Sequence, residues 1–364
     1  MKLRHRLFHA GSRVIAATAA DRWLASLACG RGLVLAFHHV RPRREQPFAP
    51  NRYLEVTPAH LERIIVLARR RGFEAVSLDE IPSRLAEPDR PPFIAFTFDD
   101  GYRDNLEHAA PVLSRHKVPW TVFVTAAFAG GHGRLWWLEL QEAVARLDRI
   151  GGELCGLRSD LPARTNAQKQ RAFDALYRHL FAAPQETLHQ AVARLAGAAG
   201  VGTGGHAGEL CLSWDELRAL SRVPGVTIGA HTLTHPRLSG LSGSDAAHEI
   251  QESRRAIEDR LDTEVRHFAF PYGGEAAAGP REAALARAAG FRTALTTRPD
   301  HVRAGCGGGL HALPRVQVSG LFQDDAAIRA VLSGVPFLAF DRLRRAGPRP
   351  EHASVGGALS VLFG

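Results

Sequence analysis

Two adjacent carboxylates, Asp99 and Asp100, follow the apolar run Pro92-Phe93-Ile94-Ala95-Phe96 in the string Thr97-Phe98-Asp99-Asp100-Gly101. Charge at the end of a buried strand is costly unless a cation or a hydrogen-bond network compensates it. A second apolar run, Val226-Thr227-Ile228-Gly229-Ala230, opens into His231-Thr232-Leu233-Thr234-His235. A hard carboxylate oxygen with two imidazoles is a ligand set suited to zinc or a similar divalent ion, with open positions for water and substrate. Histidines four apart face the same way on a helical turn, so both can reach one ion. Adjacent carboxylates cannot easily do the same job. If Asp100 binds the metal, Asp99 is left to take a proton from the attacking water. With 18 histidines in the chain, one His-x-x-x-His pair is expected by chance. Thr-Phe-Asp-Asp-Gly is far rarer, and both motifs close strand-like runs.

Such groups need elements that bring distant strand ends together. Short β-rich runs alternate with helical patterns in the βαβα rhythm of a mostly parallel sheet or barrel. Strands are expected over 33–38, 74–77, 93–98, 120–125, 226–230, 267–270, 291–296 and 315–318. Helices are expected from Pro58 to Arg71, stopped by Gly72, and over 105–115 and 244–261. In parallel α/β domains functional groups gather at the carboxyl ends of the strands, which is where both motifs fall.

Residues 131–210 break this rhythm. Helical patterns over 135–149, 167–181 and 185–199 lead into a Gly-rich segment, with no strand-like run. The segment reads as an α-helical insertion between two barrel units, a lid or a partner surface. Trp136-Trp137 at its start favours packing over sugar stacking, and Glu139 and Glu142 fit a solvated helix face. His132, His206, His248 and His301 read as surface residues, and His311 as a loop histidine.

The chain has 364 residues and a formal net charge of +9, its positive charge almost wholly arginine. A single barrel-sized domain with extensions fits that length. No run of about 20 apolar residues could span a bilayer. Four scattered cysteines, Cys29, Cys155, Cys211 and Cys306, exclude a zinc ribbon or a disulfide scaffold. They read as free thiols. The amino end carries Lys2, Arg4, Arg6 and Arg13 before an apolar stretch that Asp21 and Arg22 interrupt. This argues for an amphipathic helix, packed on the domain or lying on a membrane surface, over a signal peptide. No basic stripe interleaves with aromatics, so nucleic acid is not expected as a partner.

The motifs resemble those of the polysaccharide deacetylase family (carbohydrate esterase family four, the group of the nodulation-type chitooligosaccharide deacetylases). The resemblance runs from about Leu33 to about Val318. Thr97-Phe98-Asp99-Asp100-Gly101-Tyr102 is similar to the first motif, and His231-Thr232-Leu233-Thr234-His235-Pro236 to the second. His267-Phe268-Ala269-Phe270-Pro271-Tyr272-Gly273 is similar to the third. The resemblance implies an α/β fold, a distorted (β/α) barrel interrupted by the helical insertion. It implies that Asp100, His231 and His235 hold a divalent metal ion, most simply Zn2+, and that Asp99 is the general base. The backbone N–H of Tyr272, beside Pro271, would help hold the oxyanion, and Tyr102 is a candidate substrate contact. The reaction implied is hydrolysis of N-acetyl groups on a glycan or glycan precursor. Alternatives are the same mechanism on another amide, such as a formylated amino sugar, or a glycan-binding protein with a degraded site.

Two departures from the family pattern stand out. Ala269 occupies the place of an arginine that orients the catalytic aspartate, and the region around Leu310-His311 lacks the Leu-x-His spacing of the general acid. Family members that this chain resembles carry a histidine on an early strand instead, and Leu35-Ala36-Phe37-His38-His39-Val40 is similar to that arrangement, so the resemblance implies that His38 protonates the leaving amine; Arg315 is expected to stand in beside Asp99. His39 is expected on the other face of its strand. The domain reading is an amphipathic helical extension over 1–30, the barrel over 31–335 with the insertion at 131–210, and a flexible basic tail over 336–364. The expected partner is an N-acetylated glycan, with membrane-surface association through the basic amino end. A cytoplasmic location, peripheral to the inner membrane face, is the accompanying expectation.

Overall fold

The computed structural model describes residues 3–304 and 309–338; Cys306 and the chain from 339 onward lie outside the described residues. Among the described residues there are twelve strands: β1 (Gly32–Phe37), β2 (His39–Val40), β3 (Glu55–Val56), β4 (Glu74–Ala75), β5 (Phe93–Phe98), β6 (Trp120–Val124), β7 (Arg149–Ile150), β8 (Leu161–Pro162), β9 (Val226–Ala230), β10 (His267–Ala269), β11 (Thr293–Leu295) and β12 (Val316–Gln317). Seven of them form a parallel series in the order β11-β10-β9-β6-β5-β1-β12, and β4 joins the start of β5. A parallel bridge from Leu295 to Leu313, just ahead of β12, brings the two ends of the series together. The result is a curled, distorted barrel. β1 and β5 are buried at every position, as strands covered on both faces must be, which is why they read as continuous apolar runs.

Register brings the chemistry together. Phe37 pairs with Phe98, so His38 and Asp99 leave neighbouring strands side by side. Val124 pairs with Ala230, and Ala230 with Phe268, so His231 emerges next to Ala269. Arg315 immediately precedes Val316, whose partner is Leu35. The flanking helices have sound local signals. Pro58–Arg70 starts at a Thr57 cap that accepts the His60 N–H, with Pro58 in the first turn. Gly243–Leu261 starts at Ser242, which accepts the Asp245 N–H.

The insertion packs its helices Trp136–Arg146, Asn166–Ala182 and Gln185–Ala198 around a second apolar core. That core includes Tyr102, with Tyr272 packed against it, so the insertion covers the carboxyl-end face of the barrel. Two sequence expectations need correction here. The insertion contains strands, because β7 and β8 pair as an antiparallel ladder. Glu139 does not lie on a solvated face; it is fully buried, ion-paired with Arg134 and accepting the Gly204 N–H at 3.0 Å.

The amino-terminal helix Leu3–Ala17 packs on the helix Asp325–Ser333. Phe8 meets Phe322 with ring centroids 5.2 Å apart, and His9 Nε2 lies 2.8 Å from Asp324 Oδ2. Asp21, buried, pairs with both Arg71 and Arg329, so the extension belongs to the packed domain. At the other end, Phe337 is buried against His301, so ordered packing continues past residue 335. His301 is itself a correction. Rather than lying on the surface, it is buried, with Nδ1 accepting the Gly30 N–H at 3.2 Å and Nε2 facing the Val331 carbonyl at 2.9 Å. His206 is half-buried against Glu142, and His311 Nε2 faces the Phe291 carbonyl at 2.8 Å, whereas His132 and His248 are exposed. Cys29, Cys155 and Cys211 are free thiols. Among the described residues no helix is long and apolar enough to cross a membrane.

Candidate active site

β5 ends in an immediate left-handed turn, with φ of +68° at Asp100 and +66° at Gly101. This backbone is easy for glycine and costs another residue on the order of 1 kcal/mol. The turn sends the two carboxylates to different partners. Thr232, His235 and Tyr272 share the same conformation, with φ of +65°, +65° and +61°. Four non-glycine residues therefore hold strained backbone within one small region, as functional sites tend to do.

Asp100 Oδ1 lies 3.5 Å from His231 Nε2 and 3.2 Å from His235 Nε2. One ligand atom from each of these three buried residues lies within 4.8 Å of the others. The donor set fits a divalent cation. Asp100 Oδ1 is buried and has no hydrogen-bond partner in the protein. His231 Nδ1 sits 2.7 Å from the Ala269 carbonyl, an arrangement that keeps its proton there and leaves Nε2 as a lone pair. Burial lowers the His231 pKa to about 4, so the ring is neutral and ready to ligate. Burial pushes Asp100 up, but the neighbouring His235, with His38 and His231, outweighs it and holds the carboxyl well below its ordinary range.

Asp99 faces the other way, onto Arg315. The guanidinium donates from Nη1 to Asp99 Oδ1 at 2.7 Å and from Nη2 to Oδ2 at 2.8 Å, and both residues are buried. Its remaining contacts fix the fork: Nη1 reaches Thr97 Oγ1 at 3.1 Å and Nε reaches the Thr296 carbonyl at 3.0 Å. Burial raises the Asp99 pKa, but Arg315, with His231 and His38, lowers it further, so the carboxyl stays ionised.

His38 is half-buried, with Nδ1 3.4 Å from the Gln317 amide and its carbonyl accepting from Asn105 Nδ2 at 2.7 Å. Burial lowers its pKa, against the opposing pull of Asp100 and Asp99. Tyr272 follows buried Pro271, and its backbone N–H has no acceptor among the described residues. Its hydroxyl accepts from Trp136 Nε1 at 2.9 Å, which explains the burial of Trp136 in the insertion. Tyr102 is fully buried with its ring stacked on His39 at 3.7 Å, a packing role beneath the site.

Three contributors escaped the sequence reading. His39 is buried, with Nδ1 2.6 Å from Asp104 Oδ2, while Asp104 Oδ1 accepts from Val40 N and Asn105 Nδ2. This network braces the backbone that carries His38. Glu249, on the helix Gly243–Leu261, accepts the N–H groups of Leu233 and Thr234, both at 2.9 Å, and the Thr234 hydroxyl at 2.6 Å. It pins the turn that presents His235. No sequence spacing links these residues to the site. The third is a groove between insertion and barrel, lined by Trp136, Phe181, Gln185, Arg237, Tyr272 and His235. Arg237 lies 5.5 Å from the Phe181 ring.

Residues 86–294 match the family model described as polysaccharide deacetylase. The chain belongs to the polysaccharide deacetylase family. It is thus an enzyme of the carbohydrate esterase four type, and the matched span holds Asp99, Asp100, His231, His235 and Tyr272 but neither His38 nor Arg315. Solved structures share the fold. The deacetylase PplD of Streptococcus pyogenes, in complex with acetate, is 16% identical with a TM-score of 0.51, over 79% of this chain and 92% of that one. A de-N-acetylase from Aggregatibacter actinomycetemcomitans is 13% identical with a TM-score of 0.52, over 83% and 99%. BC0361, a polysaccharide deacetylase from Bacillus cereus, is 16% identical with a TM-score of 0.50, over 82% and 68%. None of the curated proteins matches the chain.

Proposed function

We propose that this deacetylase removes N-acetyl groups from amino sugars of a glycan or glycan precursor, with a divalent metal held by Asp100, His231 and His235. The observation that carries the reading is the division of labour between neighbouring carboxylates. Asp100 meets two histidines through an oxygen that has no other partner, and Asp99 is locked in a bidentate fork by Arg315. A divalent cation bound by the three ligands would polarise the amide carbonyl and acidify water at the site.

The remaining steps belong to the chain's own side chains. Asp99, ionised and oriented by Arg315, takes the proton of the attacking water. The unpaired N–H of Tyr272 meets the oxygen that becomes negative as the tetrahedral centre forms. His38 gives a proton to the departing nitrogen; burial weakens its hold on that proton. The sugar lies in the groove between insertion and barrel, where Trp136, Phe181 and Tyr272 supply an aromatic wall and Arg237 and Gln185 supply donors.

The test joins two measurements on purified protein. Stoichiometric metal analysis is expected to find one divalent ion per chain, lost in the Asp100→Asn variant. Mass spectrometry of N-acetylglucosamine oligomers after incubation is expected to find products lacking one acetyl group. Metal binding with no loss of acetyl from any sugar, alongside turnover of formylated sugars, would move the activity to another amide.

A further inference from the structure

Four large apolar side chains are exposed among the described residues: Leu7 (63%), Val14 (61%), Trp23 (64%) and Leu27 (70%). All four fall within the amino-terminal extension, and none lies on the barrel or the insertion. On the helix Leu3–Ala17 the exposed apolar positions Leu7, Ala10, Val14 and Ala17 recur at the three-and-four spacing of a single helical face. The opposite side is already used, since Phe8 packs on Phe322 and Ser12 is buried. The helix is therefore apolar on two sides, and only one is explained by the fold. Trp23 and Leu27, four apart, add two more exposed apolar side chains on the short helices that follow. Clustered exposed apolar residues mark an interaction surface, whereas scattered ones do not.

The charges around this surface identify its partner. Arg13 and Arg22 are exposed on the same segment, and Arg70 shares an open groove with Arg22. None of the three has a carboxylate partner among the described residues. A second copy docking on this face would bring like charges together, which disfavours association. An anionic lipid surface meets both features at once: acyl chains accept the leucines and valine, headgroup phosphates accept the guanidiniums, and a tryptophan ring is at home at the boundary. The stripe is too short to span a bilayer, and no described helix is apolar enough to do so.

We infer that the extension is a peripheral membrane anchor, which lays the face bearing Leu7, Val14, Trp23 and Leu27 into an anionic bilayer surface and holds the enzyme there. The experiment is co-sedimentation of the full chain with two kinds of vesicle, pure phosphatidylcholine and phosphatidylcholine containing about a third phosphatidylglycerol. Binding to the anionic vesicles is expected to be at least about tenfold the stronger and to fall in high salt. The variant Leu7→Ser/Val14→Ser/Trp23→Ser/Leu27→Ser and the variant Arg13→Gln/Arg22→Gln/Arg70→Gln are each expected to lose about tenfold or more. Their melting temperatures should match that of the wild type, since none of these side chains is buried. Wild-type protein that stays in the supernatant with both vesicles, or variants that sediment as the wild type does, would overturn the inference. So would a wild-type dimer in light scattering that the apolar variant converts to monomer, because a second copy would then cover the face.

Discussion

Arg315 and Asp99, 216 positions apart in the chain, meet in a fully buried two-pronged ion pair of 2.7 and 2.8 Å. The fork is bidentate, and its guanidinium lies over the Phe123 ring at 5.5 Å. Lysine cannot reproduce this geometry. In Arg315→Lys the Asp99 pKa rises, since the guanidinium is the leading influence holding it down against burial. The acidic limb of the rate–pH profile should therefore move to higher pH, with turnover falling about tenfold or more. Arg315→Met should destabilise the fold by about 3–5 kcal/mol, as expected when one partner of a buried pair is removed. A profile of Arg315→Lys that overlays the wild type would remove Arg315 from the mechanism.

Substituting His38 separates acid catalysis from metal binding. His38→Ala is expected to lower kcat by about 10²–10⁴-fold, the usual range for a lost proton donor, with metal content unchanged. Full turnover with the metal still bound would mean that the departing nitrogen is protonated by another group.

Glu249 offers a test remote from the reacting atoms. It holds the turn 232–235 through three hydrogen bonds and touches no ligand of the proposed metal site. Glu249→Ala should weaken metal affinity by about 10–100-fold, the common cost of losing an outer-shell support, while Glu249→Gln keeps part of it. Titration of metal-free protein with zinc, followed by calorimetry, reads the difference. Equal affinity in all three proteins would show that the turn holds itself.

Chelation should act on stability as well as activity. Asp100 Oδ1 is a buried acceptor without a partner, so removing a cation leaves it uncompensated. The melting temperature should fall on treatment with a chelator and recover on adding the metal. His235→Ala should melt at the same temperature with and without chelator.

His301 predicts the response to acid. Burial lowers its pKa to about 4, and Nδ1 accepts the Gly30 N–H, so protonation sets two donors against each other. The unfolded chain takes up this proton near pH 6.5, before the folded chain does. Stability is therefore complete above about pH 6.5 and is lost progressively as pH falls toward about 4, by on the order of 3 kcal/mol. His60, buried and likewise lowered to about 4, adds loss of the same sign. Urea midpoints measured between pH 7 and pH 4.5 should fall steadily, and less steeply in His301→Asn.

Much of the barrel was legible because its strands are covered on both faces. Burial on two sides demands unbroken apolar runs, and such runs are visible without any structure: Phe93–Phe98 and Val226–Ala230 were placed to the residue. Shorter strands were overextended, since Thr293–Leu295 and Val316–Gln317 depend on neighbours for their pairing rather than on their own composition. The hairpin of Arg149–Ile150 with Leu161–Pro162 carried no signal at all, two residues being too few to show a period.

Side-chain partners divide along the same line. The sequence alone determined which residue types stand at the strand ends, because the local string Thr-Phe-Asp-Asp-Gly and the spacing of His231 and His235 are properties of a few adjacent positions. It could not determine that Glu139 and His301 are buried, because burial depends on what the insertion and the carboxyl-terminal segment lay over them. Nor could it join Glu249 to the His235 turn or His39 to Asp104, since these contacts cross between elements and leave no periodic trace. Only the tertiary structure decided that the two adjacent aspartates part company. A left-handed turn at Asp100 and an arginine arriving from the far end of the chain give each carboxylate its own partner.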